Sequence, residues 1–230
     1  MEKLKIGIVG CGNIFTRHVA SVMALDNAVL VCVCDIKPER TEAAAQKFNV
    51  KAYTDYKEMI ASEKLDVLHV CLPHYLHPIV SRYALEKGIN VLCEKPISIK
   101  WEDAVANVSL AKELGLKYGI IFQCRYNTAS QFVKKHIEDG SLGKVISARS
   151  TLTWCKPDSY YSLSDWKGTW EKEGGGCTLN HAVHHIDLLL WMMGMPERVN
   201  AVLSNASHDN SEVEDISIAV LEYAKGALAQ

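Results

Sequence analysis

The sequence predicts an α/β protein whose N-terminal part is a Rossmann fold, a doubly wound parallel sheet. Short apolar runs alternate with helical segments over residues 4–122, the pattern of a parallel sheet covered by helices on both faces. The first run leads into a glycine-rich segment at residues 10–15. Residues suited to ligand binding follow four of the runs, at the strand ends where such sheets hold ligands: Gly10, Asp35, Pro73 and Glu94.

The first two strand–helix units carry the clearest patterns. Apolar runs at residues 4–9 and 28–34 predict buried strands, and helical spacing predicts helices at residues 14–25 and 38–48. Pro38 suits the start of the second helix because the first N–H groups of a helix have no partner within it.

The later elements continue this alternation. Apolar runs predict strands at residues 65–72, 90–93 and 118–122, with a short strand at 52–54. Helices are predicted from residue 55 and at residues 78–87 and 98–114. Gly88 and Gly115 end the last two, because glycine readily adopts the backbone conformation that closes a helix.

Composition excludes several classes of protein. The net charge of −2 gives no electrostatic case for binding nucleic acid or an anionic membrane surface. No apolar run reaches 18 residues, and the N-terminus lacks the pattern of a signal peptide, so we expect no membrane span and a cytoplasmic location. The eight cysteines show no CxxC pair and no zinc-like spacing, which favours reduced, buried thiols.

The glycine-rich segment indicates a dinucleotide site. Gly10-Cys11-Gly12-Asn13-Ile14-Phe15 fits the first two glycines of G-x-G-x-x-G. The first glycine allows a tight turn, and the second lets a pyrophosphate approach backbone N–H groups at a helix N-terminus. Phe15 stands at the third glycine position, so we expect looser or different packing between helix and strand.

An acidic residue at the end of the second strand supports that interpretation. Asp35 follows Gly12 at close to the sequence separation of roughly 20 residues that is expected for the acidic residue of a dinucleotide site, whose carboxylate accepts hydrogen bonds from ribose hydroxyls. Its charge would repel a 2′-phosphate, which favours NAD, although Lys37 and Arg40 lie close enough to leave NADP open. The alternative is a solvated Asp35 that caps a helix in a domain without cofactor.

Several further motifs give the chain a family resemblance. It resembles the Gfo/Idh/MocA family, named after glucose–fructose oxidoreductase and inositol dehydrogenase. The most specific motifs are Glu94-Lys95-Pro96 and the segment from Gly174 to His184. The other matching segments are residues 7–13, 70–77, 125–127 and 166–170.

The resemblance implies a Rossmann domain at residues 1–122 and an incomplete α/β domain with an open, mostly antiparallel sheet at residues 123–230. The chain stops inside an apparent hairpin formed by residues 216–223 and 227–230, so we expect a truncated family member. The resemblance also implies NAD(P)-dependent oxidation or reduction of a sugar, sugar derivative or cyclitol. A homo-oligomer through the C-terminal sheet is expected, because an open apolar face needs a cover.

Site residues are carried over from the matching motifs. Lys95 and His184 are the predicted catalytic residues, and with Asn180 and Trp166 they are the predicted substrate contacts. No metal is expected, since His181 and His185 lack a convincing third ligand. The predicted cofactor residues are Gly10, Gly12, Asn13, Ile14, Asp35, Leu72, Pro73, His77, Glu94, Lys95 and Arg125.

Each assignment has a plainer alternative. Lys95 needs a lowered pKa to act as a base near neutrality, and it could instead be a surface lysine. His184 could be a packed core residue, Arg125 a surface ion pair, and Trp166 a core side chain. The chain also departs from the family pattern, with Asn180 where Asp is frequent and Lys167 where Arg is frequent. A non-catalytic NAD(P)-binding sensor or partner subunit therefore stays open as a second hypothesis.

Overall fold

The computed structural model describes residues 2–230, and the chain divides into two compact units after Ile121. The first unit contains a six-stranded sheet in which every paired strand is parallel, in the order β3-β2-β1-β4-β5-β6. This order confirms the predicted Rossmann fold, with the reversal of strand order beside β1. The strands are β1 Leu4–Val9, β2 Ala28–Cys34, β3 Lys51–Tyr53, β4 Val67–Val70, β5 Asn90–Cys93 and β6 Tyr118–Ile120.

Helices connect these strands. They are α1 Phe15–Met23, α2 Pro38–Phe48, α3 Tyr56–Ser62, α4 His77–Glu86 and α5 Trp101–Glu113, with a 3₁₀ turn at His74–Leu76. The predicted bounds of α2, β2 and β5 are confirmed. The helix predicted at residues 98–114 starts three residues later, because Ser98 Oγ accepts a hydrogen bond from the N–H of Lys100 and makes a turn there.

Two apolar clusters cover the two faces of this sheet. On one face, Ile8 and Val33 pack with Phe15 and Val19 of α1. The other face is formed by the thiols and aliphatic side chains of β2, β4 and β5, which pack against α3 and α4. The central strands of such a sheet are buried on both sides, so their side chains are largely apolar without alternation.

The second unit contains a mixed, mostly antiparallel sheet of four strands in the order β7-β10-β9-β8. Strand pairs β8–β9 and β9–β10 are antiparallel, and β7–β10 is parallel. The elements are α6 Thr128–Glu138, β7 Ser147–Ala148, α7 Ser159–Ser162, a π-helix Cys177–Ala182, α8 Val183–Met193, β8 Arg198–Ser204, β9 Ile216–Glu222 and β10 Leu228–Ala229, with 3₁₀ turns at Gln123–Tyr126 and Ala224–Gly226.

One face of this second sheet is packed and the other is open. Leu221, Tyr223 and Ala229 pack against the apolar side of α8. Along β8 every residue is exposed, and Val202 and Ile218 retain 72% and 69% of their accessible surface. Within residues 2–230 we find no helix with the length and apolar character needed to cross a membrane.

Candidate active site

The glycine loop after β1 shows why two glycines stand there for different reasons. Gly10 has φ +97°, and a Cβ on it would lie 2.1 Å from the carbonyl oxygen of Cys71. The fold itself therefore requires glycine at this position. A Cβ on Gly12 would meet nothing closer than Arg40 Nη1 at 4.0 Å. The packing of the described residues leaves room at Gly12, as close approach of a ligand to its backbone needs.

Asp35 ties the end of β2 to this loop. Its carboxylate accepts hydrogen bonds from the N–H of Cys11 at 2.8 Å and from the N–H of Lys37 at 3.0 Å. Arg40 Nη1 lies 3.8 Å from Oδ2. The side chain is buried rather than solvated, at 8% exposure, unlike the plain helix cap considered above. An anionic acceptor thus lies directly beside the glycine loop.

Phe15 explains the departure at the third glycine position. Its side chain is buried in the apolar cluster on the α1 face of the sheet, with its ring 6.0 Å from that of Phe48 in an edge-to-face arrangement. The predicted difference in packing between helix and strand stays a prediction. A large side chain fills this position and contacts Phe48 at the end of α2.

His77 bridges two loops at the carboxyl edge of the sheet. Its Nε2 lies 2.7 Å from the carbonyl oxygen of Leu72, and its Nδ1 lies 2.7 Å from that of Pro96. The ring is buried, and burial lowers its pKa. These contacts connect the loop after β4 with the loop after β5. The predicted contact of Leu72, Pro73 and His77 with the cofactor stays a prediction.

Glu94 and Lys95 follow β5 at this same edge. One carboxylate oxygen of Glu94 lies 3.0 Å from His18 Nε2, and the other accepts a hydrogen bond from the N–H of Lys95 at 3.2 Å. Burial opposes ionisation of Glu94, but His18, Lys95 and the Lys95 N–H outweigh it and keep the pKa below its usual value. The glycine loop, Asp35, Glu94 and Lys95 are therefore grouped at the carboxyl ends of β1, β2 and β5.

In the second unit, Asn180 lies in the π-helix and His184 in the first turn of α8. The helix thus changes from π to α type at residue 183. Glu214 accounts for the start of the π-helix, since its carboxylate accepts hydrogen bonds from the N–H groups of Gly176 at 2.8 Å and Thr178 at 3.0 Å. Gly176 is needed because a Cβ there would lie 1.9 Å from the Glu214 carbonyl oxygen. The close approach that Gly176 permits is therefore to the backbone of the protein itself.

Asn180 is held by a buried polar network. Its Nδ2 donates to Glu173 Oε1 at 2.5 Å and to the Tyr160 hydroxyl at 3.0 Å. Glu173 is itself 1% exposed and also accepts the N–H of Gly168, while burial raises its pKa. The ring of His184 meets that of Phe122 edge to face at 5.9 Å. This network fixes the orientation of the Asn180 amide.

Arg125 forms a bidentate ion pair with Asp187 of α8, at 2.7 and 2.6 Å. The Asp187 side chain is only 8% exposed, and its hydrogen bonds raise the pKa of Arg125. The alternative of a surface ion pair therefore fits Arg125, which is partly exposed, and does not fit Asp187, which is buried. The predicted contact of Arg125 with a cofactor stays a prediction.

Trp166 lies beside a group of aromatic rings and lysines. Lys167 Nζ is 3.5 Å from the centre of the Tyr160 ring and 5.7 Å from that of Trp166. Lys156 Nζ lies 5.0 Å from the centre of the same Tyr160 ring. Burial lowers the pKa of Lys167, followed by the charge of Lys156, while Glu173 acts in the opposite direction.

The two other histidines of this segment face a separate cavity. His185 Nδ1 lies 2.6 Å from Ser150 Oγ, and His181 Nε2 lies 3.4 Å from the Tyr160 hydroxyl. Both line a cavity of about 620 Å³ between α8 and the sheet that neither Asn180 nor His184 lines. No group of three metal-binding side chains is found among the residues that the structure describes.

Sequence reasoning missed His18 and His69. His18 Nδ1 lies 3.1 Å from His69 Nδ1, and its other nitrogen contacts Glu94. The available signal was weak: His18 lies one helical turn after Phe15, on the buried face of α1, and His69 interrupts the apolar run of β4. Their meeting depends on tertiary structure.

Fold and site together define a dinucleotide-binding protein of the Rossmann class. A family model described as "Oxidoreductase family, NAD-binding Rossmann fold" matches residues 4–122, and the Gfo/Idh/MocA C-terminal domain matches residues 130–230. The chain therefore belongs to the Gfo/Idh/MocA oxidoreductase family, and the suggested resemblance is confirmed. Its first unit is the NAD-binding domain of that family, and Gly10, Gly12 and Asp35 fit the group, with a tight turn, open space and an anionic acceptor.

Known relatives extend beyond this chain. It is 29% identical over 234 residues to 2,7-anhydro-N-acetylneuraminate hydratase of Escherichia coli (strain K12), covering 98% of this chain and 60% of the relative. It is 28% identical over 213 residues to levoglucosan dehydrogenase of Pseudarthrobacter phenanthrenivorans, covering 89% of this chain and 55% of the relative. The chain thus spans little more than half the length of these relatives.

A solved structure is similar over nearly the whole chain. The WlbA dehydrogenase of Bordetella pertussis, in complex with NADH and UDP-GlcNAcA, has a TM-score of 0.95 and 33% identity. The match covers 99% of this chain and 66% of that one. Both units thus have the fold of this dehydrogenase.

Proposed function

We propose that the protein is an NAD-dependent oxidoreductase that moves a hydride between the nicotinamide and a hydroxyl or keto carbon of a sugar, sugar derivative or cyclitol. The observation that carries the proposal is the grouping of the glycine loop, the Asp35 carboxylate and the Glu94–Lys95 pair at one edge of the Rossmann sheet. NAD, when bound, supplies the hydride acceptor. Relatives named as dehydrogenases of levoglucosan and myo-inositol support the substrate class.

Within this proposal the protein's own residues handle the proton. Lys95 accepts the hydroxyl proton as the substrate carbon is oxidised, and His184 assists that transfer. Asn180 binds a substrate hydroxyl, and its fixed amide is held by Glu173 and Tyr160. Trp166 forms a wall of the substrate site. Proton transfer by a positioned side chain contributes about 10²- to 10⁴-fold to such a rate.

NAD is proposed as the preferred cofactor over NADP. The Asp35 carboxylate is buried beside the glycine loop, where it accepts hydrogen bonds and repels a 2′-phosphate. Arg40 reduces this repulsion, because its positively charged guanidinium lies within 4 Å of the same carboxylate. Partial neutralisation by Arg40 limits the preference without reversing it.

The substrate is further proposed to carry negative charge. Lys156 and Lys167 both approach the Tyr160 ring, and burial makes the charge on Lys167 costly to maintain. Glu173 compensates part of this positive charge. An anionic sugar derivative would complete the compensation, and the similar WlbA structure holds UDP-GlcNAcA, which is anionic.

Two further proposals concern the oligomeric state and the cellular location of the protein. The open face of β8 and β9, with Val202 and Ile218 exposed, is proposed as the contact of a homo-oligomer. A cytoplasmic location is proposed on the eight free thiols, four of which are buried in the Rossmann unit. Sedimentation velocity of the wild type against a Val202→Lys variant tests the first of these.

A turnover assay tests the function. Wild type, Lys95→Met and His184→Ala are incubated with NAD and levoglucosan, myo-inositol, UDP-GlcNAcA and 2,7-anhydro-N-acetylneuraminate, and both NADH and carbohydrate products are followed. We expect turnover in the wild type that falls at least 100-fold in Lys95→Met, while NAD binding persists. NAD binding without any product would instead support the non-catalytic sensor or partner subunit.

A further inference from the structure

Two buried histidines of the first unit have no part in the function proposed above. We propose that His18 is a positioning residue that holds the Glu94 carboxylate at the carboxyl edge of the sheet, and that His69 fixes the tautomer of His18. The inference rests on the proposed function, since Glu94 belongs to the group of residues at the sheet edge that carries that proposal. It adds two residues that no motif of the family resemblance contained.

The geometry places these three side chains in one continuous chain of contacts. His18 comes from α1, directly after the glycine loop, His69 comes from β4, and Glu94 follows β5. The distances are 3.1 Å between the two Nδ1 atoms and 3.0 Å between His18 Nε2 and Glu94 Oε1. His18 and His69 are 6% and 7% exposed, so water competes little for these contacts.

The positions of the protons follow from the chemistry of the groups. An ionised carboxylate only accepts hydrogen bonds, so His18 Nε2 must carry the proton in its contact with Glu94. When His18 carries only this proton, its Nδ1 has a lone pair. The facing Nδ1 of His69 must donate, so His69 carries its proton on Nδ1 and leaves Nε2 unprotonated. Burial lowers the pKa of His69 to about 4, which keeps this ring neutral.

This arrangement fixes both ends of the Glu94 carboxylate. One oxygen is held by His18, and the other accepts the N–H of Lys95 at 3.2 Å. The carboxylate is therefore oriented before any ligand arrives, and preorganisation of this kind strengthens binding by lowering the cost of ordering. Without His18, the Glu94 side chain gains rotational freedom and the Lys95 backbone loses a fixed partner.

Two substitutions at His18 separate positioning from packing. His18→Phe keeps a ring in the core but removes both hydrogen bonds, and we expect NADH affinity to fall at least tenfold. His18→Gln keeps a donor able to reach Glu94, and we expect affinity within about threefold of the wild type. Val22→Ala, at another buried position of α1, is the matched control. It should lower the melting temperature and leave NADH affinity unchanged.

Nitrogen-15 spectra of the histidine rings give a readout that does not depend on activity. At about pH 8, above the ordinary histidine pKa of about 6.5, we expect His69 as the Nδ1–H tautomer in the wild type. It should revert to the Nε2–H form, the usual one for free imidazole side chains, in His18→Phe.

An Nε2–H tautomer of His69 in the folded wild type at that pH would overturn the proposal. So would equal NADH affinity of His18→Phe and the wild type. A wild type that shows the expected tautomer but fails to bind NADH would leave the histidine chain intact and contradict the proposed function, so the two failures are distinguishable.

Discussion

The carboxylate of Asp35 accepts a hydrogen bond from the backbone N–H of Cys11 at 2.8 Å. This contact joins the end of β2 to the glycine loop after β1, across 24 residues of sequence. It gives Asp35 two roles, as a support of the loop and as the acceptor proposed for a ribose hydroxyl. The predictions below start from this loop and then turn to the second unit.

Gly10 and Gly12 should respond differently to the same substitution. Gly10→Ala places a Cβ against the Cys71 carbonyl at a φ of +97°, and we expect a loss of about 2–4 kcal/mol in the free energy of unfolding. Gly12→Ala meets no such contact, so its unfolding free energy should stay within about 0.5 kcal/mol of the wild type while NADH affinity falls about tenfold. Urea unfolding measures the free energy of unfolding, and NADH titration measures the affinity for the cofactor. Unchanged NADH binding in Gly12→Ala would contradict the cofactor position.

Replacement of Asp35 should change the choice of cofactor. Asp35→Ser removes the charge that repels a 2′-phosphate and leaves Arg40 available to bind one. We expect the ratio of NADPH to NADH affinity to rise about tenfold, equivalent to about 1.4 kcal/mol. The double variant Asp35→Ser, Arg40→Ala is the control and should lose this gain. A ratio that does not move in Asp35→Ser would argue against Asp35 as the ribose contact.

The ion pair between Arg125 and Asp187 should stabilise the second unit. Arg125→Ala leaves a buried carboxylate without its bidentate partner, and we expect a loss of about 1–3 kcal/mol in unfolding free energy. The lower part of that range applies if water reaches the site, since the arginine side chain is 38% exposed. Arg125→Ala combined with Asp187→Asn should recover part of the loss. A double-mutant cycle with no coupling would show that the pair contributes nothing.

The pair of His208 and Asp215 predicts a pH dependence of stability. The Lys156 carbonyl and Asp215 raise the pKa of His208, so its contribution is complete below the unfolded value of about 6.5 and is lost as pH rises through the folded pKa. Burial raises the pKa of Asp215, but backbone N–H groups and His208 lower it further, so its contribution is lost as the solution becomes acidic. Stability from the pair is therefore largest between about pH 4 and 6.5.

Unfolding of a matched variant tests that window. His208→Gln keeps hydrogen-bonding capacity without a titrating charge, so its unfolding free energy should fall less between about pH 6 and 8 than that of the wild type. Chemical denaturation at several pH values gives the two curves. Parallel curves through this range would show that His208 does not contribute to the pH dependence of the unfolding free energy.

Local sequence signals predicted the first unit well where they were self-contained. Helix α2 has Pro38 in its first turn, and Asn49, the residue directly after its end, adopts the left-handed conformation, so local residues encode both ends of the helix. Strands β2 and β5 were found because their apolar runs are short and sharply bounded. The glycine loop and Asp35 belong to the same local class of signal.

Features that depend on distant residues were not predictable in this way. The π-helix that carries Asn180 begins where Glu214, 38 residues away from Gly176, accepts two backbone N–H groups. The His69–His18–Glu94 chain needs three elements to converge, and neither histidine belongs to a motif that the sequence makes recognisable. Contacts of this kind arise from tertiary packing, which periodicity does not encode.

The most direct test is a calorimetric titration of NADH and NADPH into the wild-type chain and into Lys95→Met. We expect one NADH per chain in both proteins, bound more tightly than NADPH, because the proposed function assigns cofactor binding to Gly12 and Asp35 and a role in the chemical step to Lys95. Failure of the wild type to bind either nucleotide would contradict the central claim that the carboxyl edge of the first sheet is the cofactor site.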